Sequence, residues 1–269
     1  MSIYNVLMGA SGPFPFIRTI STNQVDYNLN TALTAAGWNG TSPVVANITI
    51  ASAVEFTASA NTIPAFTVGT LPTGSSVYIT NNGYIVGRGG AGIGKGYPTS
   101  TSYNLTAPAS ANGGVALSVS RAVSIDNANG TIGGGGGAGG VGGGTSGDCT
   151  CNSCGGVGIV GMTPSGGGAG YGSNVSGGTA YQTNGGFRTF VSSSAGTLTA
   201  AGAQGTGGSS GGTAGASGTL GVAGATGTGT AVCGGSGFGP GTGGAAGACT
   251  SGNANITWVN TGIRLGALG

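Results

Sequence analysis

The residues with the greatest chemical capacity are Cys149, Cys151 and Cys154, a C-x-C-x2-C cluster beside Asp148, with Cys233 and Cys249 farther along the chain. Three thiolates plus a distant thiolate or carboxylate form a donor set for a soft metal such as zinc or iron, but the usual pairing of two C-x2-C elements is missing. Disulfides are a second reading, weakened by the odd number of cysteines and the lack of an export signal, with oxidation after release still open. Small apolar loop residues are the third reading and the one adopted, so no metal or other cofactor is expected.

Acid-base chemistry has little material. There is no histidine, and Asp26, Glu55, Asp126 and Asp148 are the only acids, each far from the others in sequence. A catalytic pair would require two of these isolated carboxylates to converge, and the chain reads as non-enzymatic. Gly87-Arg88-Gly89-Gly90-Ala91-Gly92 has the outline of a nucleotide-binding loop, yet no amphipathic helix follows, and Tyr97 stands after Lys95-Gly96 where a phosphate loop needs Ser or Thr. The basic residues Arg18, Arg88, Lys95, Arg121, Arg188 and Arg264 are scattered singly and form no stripe to neutralise phosphates, so nucleic acid is not an expected partner.

Aromatic and amide side chains supply a different capacity. Tyr97, Tyr103, Asn152, Asn174, Tyr181, Phe187, Arg188 and Phe190 lie in or beside stretches rich in Ser, Thr and Asn, a composition suited to adhesion through broad aromatic contact and adaptable hydrogen bonds. The competing reading folds some of these rings back over glycine ridges.

The elements that would position these residues are set by glycine. Seven of the 65 glycines precede residue 87, and the 183 residues from there onward are about one-third glycine. Gly202, Gly205, Gly208 and Gly211 are spaced by three, as are Gly215, Gly218, Gly221, Gly224 and Gly227 after one slip. Three is the period of a polyproline II helix, against 3.6 for an α-helix and 2 for a strand. In Gly133 to Gly144 only Ala138 and Val141 interrupt the glycines, leaving two of three helix edges bare. With 9 prolines and a slipping register the chain is not simple collagen. A disordered tail is the competing reading, but at 4% charged residues a long solvated tail has little to keep it apart from its neighbours. The expectation is a bundle of glycine-rich polyproline II helices, with irregular intervals at 97–112, 145–154, 162–165, 173–200, 228–233 and 248–254 as loops.

Residues 1–86 carry most of the bulky apolar side chains. Short strands are expected at Val44-Val45, Ile48 to Ile50, Val54 to Phe56, Phe66 to Val68 and Val77 to Ile79, with a turn at Leu71 to Gly74 and no helix predicted. Pro13 and Pro15 confine the segment holding Phe14 and Phe16 to a sheet edge or a contact with another chain. Val115 to Ile125 is strand-like and is expected to join the first region to the bundle. No export signal and no run of eighteen apolar residues is evident, so synthesis in the cytoplasm is expected.

Four segments carry a family resemblance: Asn82-Gly83-Tyr84-Ile85-Val86-Gly87-Arg88-Gly89-Gly90, Gly114-Val115-Ala116-Leu117-Ser118-Val119, Ile125-Asp126-Asn127-Ala128-Asn129-Gly130-Thr131-Ile132, and the ending Trp258-Val259-Asn260-Thr261-Gly262-Ile263-Arg264-Leu265-Gly266. In these segments and their order the whole chain resembles the receptor-recognising adhesins at the distal tip of the long tail fibre of T-even-type bacteriophages. The resemblance implies one adhesin chain capping a trimeric fibre. Residues 1–86 would be the attachment region, with Phe14, Phe16, Ile17 and Trp38 as leading contacts. Residues 87–269 would form a sandwich of polyproline II helices whose variable loops bind a bacterial outer-membrane protein or, in some relatives, surface polysaccharide, and so set host range. The alternative is an ice-binding protein using regularly spaced Ala, Ser and Thr between 203 and 226. The bulky first region and the aromatic-rich 171–190 segment argue against it.

Overall fold

The computed structural model describes residues 12–92, 110–142, 144–145, 179–184, 187–205, 213–229, 237–238 and 240–269. The chain winds through three sheets in turn. The first rung is β1 (Phe14–Ile20), β2 (Gln24–Val25) and β3 (Tyr27–Asn28), followed by helix α1 (Leu29–Ala35). The second is β4 (Val44–Ile50), β5 (Glu55–Thr57) and β6 (Phe66–Val68), and the third is β7 (Ser76–Asn81), β8 (Tyr84–Val86) and β9 (Leu117–Val119). The fourth begins with β10 (Val123–Asp126) and β11 (Thr131–Gly133). Four more strands intervene, β12 (Gly144–Thr145), β13 (Thr179–Asn184), β14 (Phe187–Ser192) and β15 (Gly237–Phe238), before β16 (Thr250–Ser251) completes it. A last rung is β17 (Ile256–Asn260) and β18 (Ile263–Leu265), and Leu268 bridges to Thr250 on the third sheet.

Each sheet stacks equivalent strands of successive rungs in parallel: β1-β4-β7-β10-β17, β2-β5-β8-β11-β18 and β3-β6-β9-β16. This is a three-sided parallel β-solenoid. Its strands alternate in burial because one face turns to the shared interior and the other to solvent, as in β4, where Val44, Ala46, Ile48 and Ile50 are buried. Strands β4 to β7 fall where short strands were expected. The sheets draw strands from both sides of residue 86, so 117–133 and 250–265 complete the stack begun by 14–86.

Like side chains form columns along the stack. Ile48, Ile79 and Ile125 lie in register, as do Phe56, Ile85 and Ile132, and all six are buried in a single apolar core. Tyr27 meets Phe56 and Phe66 edge-on, at ring distances of 5.1 and 4.9 Å, and closes the core toward the first rung. Where the first sheet turns into the second, the column changes from Ile20 and Ile50 to Asn81, and the neighbouring rung supplies Asn127. Both amides are fully buried. Asn81 donates to Asn127 Oδ1 at 2.7 Å and accepts from Gly83 N–H, while Asn127 donates to the Thr261 and Ile263 carbonyls at 2.9 and 3.2 Å. The pair satisfies itself and ties rungs three, four and five together at one corner.

Helix α1 was not expected. Asn28 caps it by accepting from Thr31 N–H, Leu29 and Leu33 put one apolar face into the core, and Gly37 at φ +99° ends it. An amide cap, an i,i+4 leucine pair and a following left-handed glycine are a helix signal, masked in the sequence by the strand-like residues around it.

The glycine-rich stretches leave the solenoid at one corner, between β8 and β9 and again between β11 and β16. Residues 133–142 are buried throughout, and every carbonyl from Gly133 to Val141 accepts a hydrogen bond, sorted by threes. Gly133, Gly136 and Gly139 accept from Gly87, Gly90 and the Ser110 hydroxyl. Gly134, Gly137 and Gly140 accept from Gly221, Gly218 and Gly215, and Gly135, Ala138 and Val141 from Gly247, Gly244 and Gly241. One segment is thus surrounded by others running both ways. Ala138 and Val141, the two side chains expected on its third edge, are fully buried.

Candidate binding surface

Two regions carry the residues expected to bind partners, the first rung of the solenoid and the glycine-rich outgrowth. On the outgrowth, the interval 173–200, expected to be irregular, contains an antiparallel ribbon of β13 and β14. Its register pairs Tyr181 with Phe190, Thr183 with Arg188 and Asn184 with Phe187. Asn184-Gly185-Gly186 between two runs of alternating character is a hairpin signal that could have found it. Tyr97, Tyr103, Asn152 and Asn174 lie outside the described residues.

At the first rung, the four residues expected to grip a fibre have different surroundings. Phe16 is 4% exposed and Trp38 is 7% exposed, both within the core, and Trp38 donates its indole N–H to the Ser42 carbonyl at 2.8 Å. Phe14 packs half-buried against that core, whereas Ile17 is 80% exposed. The free apolar surface here is thus Ile17, joined by Val25 of β2 at 54% exposure, which the sequence did not single out. Ile17 and Phe16 differ because neighbouring positions on a strand face opposite ways.

Among the cysteines, Cys249 is described. Its buried thiol donates to the Ile132 carbonyl at 3.3 Å, and burial pushes its pKa up to about 11, which leaves it protonated and unreactive near neutrality. The other four lie outside the described residues. Among the described residues no group of three His, Cys, Asp or Glu side chains is placed to share a metal ion, and no helix is long and apolar enough to cross a membrane.

A solenoid that buries its apolar columns and an outgrowth whose inner backbone is consumed by hydrogen bonds define a β-rich scaffold. The chain belongs to the phage tail fibre adhesin Gp38 family, whose model matches residues 15–269. Among solved structures it is similar to the gp37-gp38 adhesin tip complex of the bacteriophage S16 long tail fibre, with a TM-score of 0.54 and 24% identity over 98% of this chain and 86% of that one. No curated protein matches it in sequence. Family membership decides between the two readings of the sequence in favour of the adhesin over the ice-binding protein.

Proposed function

We propose that this adhesin caps the distal tip of a long tail fibre, attaches through its first rung to a trimeric fibre protein, one adhesin chain per fibre, and recognises a bacterial outer-membrane protein, or in some relatives surface polysaccharide, through loops of the glycine-rich outgrowth. The hydrogen bonding of 133–141 carries this reading. Nine consecutive carbonyls bonded outward in three directions at a period of three suit a sandwich of polyproline II helices, in which glycine edges admit neighbouring backbones. Such a slab is rigid and presents its connections as tolerant loops, so residues there change without rebuilding the base. Capture needs no chemistry. Tyr97, Tyr103, Asn152, Asn174, Tyr181, Phe187, Arg188 and Phe190 serve as aromatic anchors and polar contacts, and several fibres on one virion multiply weak contacts into avidity.

Attachment follows from the opposite feature. The strands β1, β2 and β3 are the terminal strands of their three sheets. Among the described residues no further strand pairs with these three edges, a three-sided end matches a three-chain fibre end, and strand edges are templates for further strands. The test of recognition is to replace residues 174–190 with the same interval of a family member of different host range. Adsorption should follow the donor while melting stays within about 2 °C of the parent. Unchanged adsorption with a folded protein would move recognition to the other loops.

A further inference from the structure

The columns of the solenoid end differently at its two ends. At the last rung, Trp258 continues the column of Ile48, Ile79 and Ile125, and Arg264 continues that of Phe56, Ile85 and Ile132. The Arg264 guanidinium lies 4.7 Å above the Trp258 ring, and the indole N–H donates to Asn253 Oδ1 at 3.1 Å. This end is closed by the chain's own side chains.

At the first rung the isoleucine column ends in Arg18, which pairs in register with Ile48. Its neighbours at alternate positions, Phe16 and Ile20, are buried, but Arg18 is exposed. The guanidinium rests 5.9 Å from the Phe16 ring. Among the described residues it has no ion pair, and beside it opens a polar cleft lined by Thr19, Ile20, Ser21, Thr22 and Gln24. Gln24, the first-rung member of the second column, is turned back onto Thr22. Any partner that extends the three sheets from β1, β2 and β3 must therefore cover a cation at the head of an apolar column. Covering it without an acceptor is costly, and a carboxylate is the group whose two oxygens match a guanidinium fork.

We infer that Arg18 is the charged anchor of the attachment end, taking a carboxylate from the end of the fibre trimer when strands from that trimer cover the edges of β1, β2 and β3. The inference rests on the attachment proposed above and adds the chemistry it demands of the partner, an acidic side chain or chain terminus at the axis of the fibre end. It also gives the exposed arginine a role in partner choice, since a fibre end offering a cation or an apolar group there is rejected.

The test uses the full adhesin and the purified fibre trimer, with Arg18→Lys, Arg18→Ala, Arg18→Glu and Ile17→Asp compared by binding and by melting. Because Arg18 is exposed, its three variants should melt within about 2 °C of the parent. Binding should weaken in the order Lys, Ala, Glu, with Arg18→Ala losing about 30-fold or more and Arg18→Glu losing more than Arg18→Ala, as expected for a charge pair and not for lost packing. Equal binding of the parent, Arg18→Ala and Arg18→Glu would overturn the inference, as would equal losses in all three with lowered melting. Loss in Ile17→Asp with Arg18→Glu binding normally would keep attachment at this end and remove Arg18 from it. Normal binding by both would overturn the attachment reading itself.

Discussion

A glycine in this chain is held in place by what its missing side chain admits. A Cβ on Gly136 would run into the Gly218 carbonyl, and one on Gly221 into the Gly266 N–H, with Gly221 also at φ +67°. The obstructing atoms are backbone, tied to their own neighbours, and cannot yield as the tip of a flexible side chain can. Gly136→Val and Gly221→Val should each destabilise the protein by about 1–3 kcal/mol or more, and Gly221→Val adds the strain of a branched residue in the left-handed region. Thermal melting reads both. Unchanged melting would mean that the surrounding segments do not approach these edges in solution. Gly37 offers the contrast, since nothing lies within 4 Å of a Cβ built there and only its φ of +99° favours glycine.

At the scale of elements, the corner between the first and second sheets depends on two amides. Asn127 accepts from Asn81 and donates to carbonyls on both sides of Gly262, the glycine at φ +51° that turns β17 into β18. Asn127→Leu keeps the branched shape but strips the buried Asn81 amide of its acceptor, at about 1–3 kcal/mol for a buried group left unsatisfied, and takes a shared donor from the Thr261 and Ile263 carbonyls. The expected outcome is a loss of about 1–3 kcal/mol in denaturant unfolding, with protease sensitivity appearing first near 256–265. A variant as stable as the parent would show that water replaces the amide and that the corner is held by strand pairing alone. Helix α1 shows how an element earns its place with seven residues, by capping at Asn28 and burial of Leu29 and Leu33.

For the molecule as a whole, the order of the chain matters because the last rung closes what the outgrowth leaves open. Gly134 N–H bonds to the Leu265 carbonyl, Cys249 N–H to that of Ala267, and Trp258 covers the exposed end of the isoleucine column. Ending the chain at residue 255 removes these partners together and uncovers Ile125 and Ile132, which are fully buried in the intact protein. The truncated chain should lose its cooperative thermal transition, not merely melt lower, because solenoid and outgrowth share this seam. A sharp two-state transition in the truncation would separate the two parts energetically.

What the sequence alone determined was local period. Short β-branched and aromatic runs between turns marked most strands of the first region, spacing by three marked the glycine segments, and the prolines confined the β1 segment to a sheet edge or a contact with another chain, because each rests on backbone geometry within a few residues. The family was legible too, from four segments and their order. The partners of those segments were not. Ile125 lies beside Trp258 across 133 residues, and two glycine-rich excursions begin and return at one corner of a solenoid whose strands come from both sides of residue 86. A strand's burial pattern records that one face is covered but carries no record of which strand lies beside it. For the same reason Phe16 and Ile17, adjacent and both apolar, were indistinguishable as contacts until the fold put one inside and left the other in water.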